Sequence, residues 1–342
     1  MTLSVRRSAL NDHPRWARAV RRVFAVCGLA LAASSAAGDY SQHAGVQSVI
    51  QKAAEAGVDP AWSQALIDDA KRQQSILDAI SRPAEKTKPW YEYRKIFVTE
   101  QRIREGVEFW EAQADVLSVV SSRSGVPSEV IVAIIGVETY YGRIAGSYRV
   151  IDALATLAFD YPRRSPFFTR ELEEFLILAW ESGKDPLALK GSYAGAMGYG
   201  QFMPSSYRAY ARSFQGDEAP DIWENPADAI SSVGHYLKSH GWRRDEQVVL
   251  DAVADDTEPA IFDGGLKPSL TVAQLELAGL VPTEALAPER VVTPLRLEEQ
   301  EGARYWMGLQ NFYSITRYNH SAMYAMAVWE LSQAIAAART DV

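Results

Sequence analysis

The chain has 342 residues, 47% of them apolar, with 35 Lys plus Arg against 43 Asp plus Glu and a formal net charge of −8. That composition excludes wholesale disorder and low-complexity repeats, and the acidic balance excludes the broad basic footprint of non-specific nucleic-acid binding. The single cysteine, Cys27, excludes a disulfide framework, a Cys-rich zinc site and an iron–sulfur cluster.

Residues 1–38 read as an export address. Six arginines (Arg6, Arg7, Arg15, Arg18, Arg21, Arg22) and one acid, Asp12, precede an apolar run from Val23 to Ala33, and Ser34–Gly38 are small. Basic, apolar and small-residue regions in this order form a secretory signal, and the apolar run is too short for a permanent membrane span. The general secretory route is the expectation, although Arg21-Arg22-Val23-Phe24 also resembles a twin-arginine signal. Cys27 lies inside the apolar run and lacks small residues before it, which argues against a lipoprotein anchor. Removing residues 1–38 takes the formal net charge from −8 to −13 and leaves no cysteine, which suits an oxidising compartment such as the periplasm. No later segment has enough unbroken apolar residues for a transmembrane helix.

The mature chain is mainly α with a small β subdomain. Apolar residues at three- and four-residue spacing predict helices over Val46–Ala56, Pro60–Ala79 and Val98–Ser122. Pro83, Pro89 and the Trp90-Tyr91-Glu92-Tyr93 cluster predict an irregular connection between the last two. Pro127 and Ser128 open a helix that runs to about Tyr141 and stops at Gly142. Further helices are expected over Val150–Leu157, Phe167–Ser182, Met203–Arg212, Pro226–His240 and Ser321–Arg339. Gln247–Ala252, Val291–Leu297 and Ala303–Ile315 look extended, and Asp263-Gly264-Gly265 is a turn signal. The expected division is a helical domain at 39–125, a core at 126–244, a β-containing insertion at 245–314 and a C-terminal helix at 315–342 that returns to the core.

Two segments carry chemistry. Val130–Tyr141 is apolar on nearly every face, and Glu138, its only interior charge, continues the Ile131/Ile134/Ile135 stripe. Burial there and the negative end of the helix dipole both favour the neutral acid, as a general acid working near neutral pH requires. The alternative is a structural ion pair with Arg143 or Arg149. Residues 191–207, GSYAGAMGYGQFMPSSY, hold four glycines that break a long helix and let backbone approach a ligand. The segment lacks the Gly-Lys-Ser/Thr ending of a phosphate loop; its neutral donors and aromatic faces suit a sugar, or else a tight helix crossing.

The run ETYYG at Glu138–Gly142, the loop SYAGAMGYGQFMPSSY, the DYPRR and DIW…DAI…VGHYLKSHGW stretches and NFYSITRYNHSAMYAMAV resemble, in order and spacing, the lytic murein transglycosylase B family over about residues 40–340. The resemblance implies a lysozyme-like catalytic core flanked by a helical domain, with peptidoglycan glycan strands as partner and no cofactor. It implies non-hydrolytic cleavage of the bond between N-acetylmuramic acid and N-acetylglucosamine, with Glu138 as acid and then base and 1,6-anhydro ends as product. Because an intramolecular hydroxyl attacks, the usual second carboxylate is unnecessary, although Asp152, Asp160 and Glu171 remain candidates for one. A hydrolytic muramidase and a non-catalytic peptidoglycan-binding protein on the same fold are the alternatives.

Residue by residue, the resemblance assigns substrate contacts to Ser192, Gln201, Phe202 and Met203 in the loop, to the tyrosines Tyr93, Tyr236, Tyr318 and Tyr324, and to Asn319. It assigns the carboxylates of the substrate to Arg163 and Arg164. Some relatives carry an EF-hand-like calcium loop before the DIW stretch. Here Ser213 and Gln215 replace acidic ligands and Glu218 replaces the turn glycine, so that Asp217, Asp221 and Glu224 are the remaining ligand-like positions and tight calcium binding is not expected. Partners among cell-wall synthesis or lysis proteins are not named by any motif.

Overall fold

The computed structural model describes residues 38–82, 88–216, 219–254 and 261–340. The export signal and Asp217 therefore lie outside the described residues. Along the chain run α1 (Val46–Glu55), α2 (Pro60–Asp69), α3 (Gln74–Ser81), α4 (Trp90–Phe97), α5 (Glu100–Ala112), α6 (Ala114–Ser124) and α7 (Ser128–Thr139). Strand β1 (Tyr148–Arg149) precedes α8 (Val150–Asp160) and α9 (Ser165–Ser182), and β2 (Lys190–Gly191) precedes α10 (Pro204–Tyr210) and α11 (Pro226–Ser239). The β subdomain follows with β3 (Val249–Ala254), β4 (Leu270–Thr271), α12 (Val272–Leu277), β5 (Leu280–Pro282), β6 (Val291–Glu299) and β7 (Gly302–Gly308). The chain closes with α13 (Gln310–Thr316) and α14 (Ala322–Thr340).

Helix α7 is the axis of the helical body. Val130 to Ile135 are fully buried, and α5, α6, α11 and α14 all pack on it. An all-round apolar helix of this kind is stable only when neighbours cover every face. Helix α14 makes the most extensive of these contacts and carries Tyr324, Ala325 and Val328 into the same core.

The sheet orders as β4-β6-β7-β3-β5 with antiparallel neighbours. Its two faces belong to two cores. Leu295, Leu297 and Trp306 join the helical core, while Leu250, Ala252, Val292 and Met307 pack with Val272, Leu275 and Leu280 into a separate small one. Strand β3 is covered on one face alone, so Leu250 and Ala252 are buried in the small core while Asp251 and Val253 between and beside them are exposed.

Four expectations are corrected. The helix expected over Pro60–Ala79 breaks between α2 and α3, because the amides of Lys71 and Gln73 donate to the Asp152 and Thr156 side chains of α8 at 2.9 and 3.1 Å. These long-range acceptors compete with the helical carbonyls. The helix expected over Val98–Ser122 is interrupted at Gln113, which leaves helical geometry at φ −119° and ψ 19°. The Trp90 cluster forms α4, not an irregular link. Pro89 precedes its first residue, and Trp90, Tyr93 and Phe97 stack at 6.3 and 5.2 Å along one face. Ala303–Ile315 is extended only to Gly308; Phe312 and Ile315 then recur at helical spacing and are buried by α13.

Phe312 is fully enclosed where α13 meets the sheet. Phe312→Ala is expected to remove about 3–5 kcal/mol of unfolding free energy, read by urea denaturation.

Candidate active site

Glu138 lies in the last turn of α7, partly buried, with Val137 and Thr139 buried beside it. Its Oε1 accepts a 2.5 Å hydrogen bond from the Tyr324 hydroxyl, contributed by α14. Neither arginine that could have neutralised it does so. Arg143 pairs with Glu105 at 2.7 Å, and Arg149 is held by Asp69 and Asp152. Desolvation therefore dominates and raises the Glu138 pKa to about 7, against the smaller lowering effect of the Tyr324 hydrogen bond. Burial likewise raises Tyr318 and Tyr324 well above the usual phenol value, with the Glu138 carboxyl adding to both shifts, so these phenols remain donors.

The end of α7 is bent sharply to present this group. Among the described non-glycine residues, positive φ occurs at Tyr140 (53°), Tyr141 (61°), Gln201 (50°) and Asp245. Three of the four flank Glu138 or lie in the glycine loop. Such conformations cost roughly 1–3 kcal/mol each and persist only where the surroundings over-determine them. The Tyr141 hydroxyl donates to the Arg102 carbonyl at 2.7 Å, and the Arg102 guanidinium lies 4.5 Å from the Tyr140 ring centroid.

The glycine loop fits against the same helix end. The Thr139 hydroxyl donates to the Tyr199 carbonyl at 2.8 Å and accepts from the Gly142 amide at 3.0 Å. Gly142 has φ 90°, and a Cβ there would lie 2.1 Å from the Tyr199 ring. Ser192 Oγ accepts from the Ala196 amide at 3.1 Å, closing the first half of the loop. Gln201 Nε2 donates to the carbonyls of Ala145 (3.1 Å) and Gly198 (3.0 Å), tying the loop to the turn after α7. The glycines thus serve a close packing of the loop on the end of α7, and the Ser192 and Gln201 side chains hold the loop in shape.

Next to this apparatus a cavity of about 1050 Å³ opens, lined by Tyr93, Arg164, Met203, Tyr236, Tyr318 and Asn319 among others. Glu138 is not itself a lining residue; Tyr318, which is, feels its charge. Phe202 is buried under the floor, 5.7 and 5.9 Å from the rings of Tyr236 and Tyr318. Those two phenols donate inward, to the carbonyls of Arg317 (2.6 Å) and Gly200 (2.7 Å), which fixes their rings in the cavity wall. Tyr324 is buried and directed at the carboxyl. Arg164 reaches the cavity with its guanidinium against Phe167 and Phe168. Arg163 is exposed and is not among the lining residues, so the structure separates the basic pair that the sequence set side by side.

Sequence reasoning missed Tyr210, His240, Arg317 and His320, which also line the cavity. His240 stacks on Tyr236 at 4.0 Å, and Arg317 Nη1 lies 2.7 Å from His320 Nε2. Arg317 and His320 stand within the NFYSITRYNHS motif, so spacing to Tyr318 and Asn319 was the available signal. None of the cavity's lining residues is acidic, on a chain whose net charge is −8.

The rival carboxylates are all engaged in protein contacts, Glu171 with Ser205 of the cavity wall. Asp152 is occupied by Lys71, Gln73 and Arg149, and Asp160 by Tyr40 and Arg72. Both oxygens of Glu171 accept from Ser205, through the amide at 3.0 Å and the hydroxyl at 2.7 Å. Asp221 faces Lys184 at 3.0 Å, and Glu224 is exposed.

A carboxyl without a cationic partner, bonded to a phenol next to a cavity lined by tyrosines, can serve as a proton donor to a carbohydrate. The transglycosylase SLT domain model matches residues 41–333. Membrane-bound lytic murein transglycosylase B of Escherichia coli (strain K12) is 46% identical over 314 residues, covering 89% of this chain and 86% of the relative. The catenated lytic transglycosylase SltB1 of Pseudomonas aeruginosa superposes with a TM-score of 0.83 at 49% identity, over 88% of this chain and all of that one. SltB3 of the same organism, solved with NAG-anhNAM-pentapeptide, gives a TM-score of 0.74 at 28% identity, over 85% of this chain and 78% of that one. The chain belongs to the lytic transglycosylase family, with its mainly α, lysozyme-like fold. No single helix among the described residues is long and apolar enough to cross a membrane.

Two outcomes follow from the geometry. Tyr324→Phe removes the hydrogen bond that stabilises the Glu138 anion, so the ionisation of Glu138 should move above about 7, seen by titrating the carboxyl with carbon-detected NMR. The raised pKa also links to stability. The folded state holds the Glu138 proton that the unfolded chain releases near 4.5, so this contribution is full below that pH and is lost as pH rises through about 7. Glu138→Gln should accordingly gain melting temperature relative to the parent at pH 8, with the gain shrinking towards pH 4.

Proposed function

We propose that this chain cleaves the β-1,4 bond between N-acetylmuramic acid and N-acetylglucosamine in peptidoglycan without water, leaving 1,6-anhydro-N-acetylmuramoyl ends. The observation that carries the reading is the isolation of Glu138: one carboxyl near neutral pKa beside the cleft, with Asp152, Asp160 and Glu171 consumed by structural contacts. The neutral acid donates its proton to the glycosidic oxygen as the bond to C1 breaks, and the N-acetylglucosamine side leaves with a free hydroxyl. The carboxylate so formed takes the proton of the muramoyl C6 hydroxyl as that oxygen bonds to C1 of the same sugar. Proton and electron counts close with no second carboxylate and no water, because proximity within one ring replaces an activated nucleophile.

The cleft chemistry agrees with this substrate. The ring faces of Tyr236, Tyr318 and Tyr93 suit the apolar faces of pyranoses, and Asn319 supplies amide donors and acceptors. Ser192 and Gln201, which the family resemblance assigns to the substrate, brace the glycine loop through Ala196, Gly198 and Ala145. The relatives' names carry murein and an anhydro-muramoyl peptide, which supports the same reading. Export of the chain through the signal at residues 1–38 would deliver it to the periplasm, where that polymer lies, with release by cleavage before Asp39 and no lipid on Cys27.

Mass spectrometry of products from purified peptidoglycan tests the proposal. Anhydro-ended muropeptides, lighter by one water than reducing-ended ones, are expected; reducing ends would point to a hydrolytic muramidase. Glu138→Gln should lower turnover at least about 1000-fold, the scale of losing a general acid with its positioned proton. With the parent enzyme, kcat/KM should fall as pH rises past about 7, because the first step needs the protonated carboxyl.

A further inference from the structure

The stretch from Ser213 to Glu224, which resembles a calcium loop, is built around a different cation. Asp221 Oδ1 accepts the amides of Trp223 and Glu224, both at 3.0 Å, and Oδ2 faces the Lys184 ammonium at 3.0 Å. Asp228 is equally committed, accepting the amides of Phe214 at 2.8 Å and Asp221 at 2.7 Å. Burial pushes the Asp221 carboxyl up, but the Glu224 amide and the Lys184 ammonium outweigh it and hold it below the usual range. Calcium takes about six to eight oxygen ligands at about 2.3–2.6 Å. Here the inward-facing carboxylate oxygens are already filled by N–H donors and an ammonium, and Glu224 is exposed. The described residues of this loop do not fit a calcium ion.

What the ammonium secures is joined to the active site by a short chain of backbone contacts. Lys184 follows α9 and also lies 5.7 Å from the Trp223 ring centroid, whose Nε1 donates to the Lys190 carbonyl at 3.1 Å. Between Asp221 and Trp223, the Ile222 carbonyl accepts the Tyr199 amide at 2.9 Å. A Cβ on Gly198 would lie 2.3 Å from that carbonyl oxygen, so the glycine loop and the 221–224 turn meet backbone to backbone. The Tyr199 carbonyl in turn accepts the Thr139 hydroxyl, one residue from Glu138.

We infer that Lys184 is a positioning residue: its ammonium is the internal counter-ion of the 221–224 turn, replaces calcium there, and sets the glycine loop against the end of the helix that carries Glu138. The positioning half of this inference rests on the proposed function; the counter-ion half does not. Lys184 and Asp221 are both part-exposed, so the pair contributes modestly to stability, and its larger effect is geometric.

The mature protein, Lys184→Met and Lys184→Arg are compared by thermal melting in EDTA and in millimolar calcium, and by kcat and KM on peptidoglycan. The parent melting temperature should be the same in EDTA and calcium. Lys184→Met should melt about 2–4 °C lower. It should lose kcat about three- to tenfold with KM changed less than about twofold, because displacement of the acid harms the reacting geometry more than binding. Lys184→Arg should recover most of both. A calcium-dependent rise in the parent melting temperature overturns the counter-ion. A Lys184→Met that melts lower with unchanged kcat, or an arginine that restores melting but not kcat, overturns the positioning role. A parent that cleaves no peptidoglycan sinks the proposed function and the positioning role together, while the calcium comparison still judges the counter-ion.

Discussion

A carboxyl group at the end of an apolar helix, left without a cation, is the constraint around which this molecule is arranged. The apolar face of α7 commits Glu138 to a poorly hydrated position, and two arginines stand close in sequence that could relieve it. The fold diverts both. Glu105 on α5 takes Arg143, and the Asp69–Asp152 pair takes Arg149. Tyr324 alone remains, a neutral donor that orients the carboxyl without supplying the charge that would fix it as an anion. The acid is thus left without a cation because both nearby arginines are paired elsewhere, and burial then favours its neutral form.

Backbone strain gathers around that acid. Tyr140, Tyr141 and Gln201 adopt left-handed geometry that glycine would adopt more easily. Side chains are needed at these positions. Tyr141 stacks on Phe109 and bonds to the Arg102 carbonyl, and Gln201 ties its loop to Ala145. Glycine is used instead where a Cβ has no room, as at Gly142 beside Tyr199 and Gly198 beside Ile222.

The cavity adds an electrostatic contrast. The chain as a whole is acidic, yet the cavity wall carries Arg164, Arg317, His240 and His320 and no carboxylate. An aromatic floor with the guanidinium groups of Arg164 and Arg317 at its margin suits a polymer whose sugars are neutral and whose appended groups bear carboxylates.

Much of this was legible before any coordinates. Periodicity located α1, α7, α9, α11 and α14 closely, because each carries a continuous apolar stripe, and the lone acid in an apolar run marked Glu138 directly. The breaks between α2 and α3 and at Gln113, the helical state of the Trp90 cluster and the strand-to-helix change after Gly308 were not legible. At the first break the deciding partners are distant in sequence, because Asp152 and Thr156 draw off the amides of residues 71 and 73, and burial of Phe312 and Ile315 selects the helix after the strand. The sequence by itself determined which residues are apolar, which carboxyl lies among them and where glycine permits close approach. Only the tertiary structure decided which arginine meets which acid, that Arg164 and not Arg163 reaches the cavity, and that Tyr324 meets Glu138 from 186 residues away, since pairing energies depend on distances that chain folding alone creates.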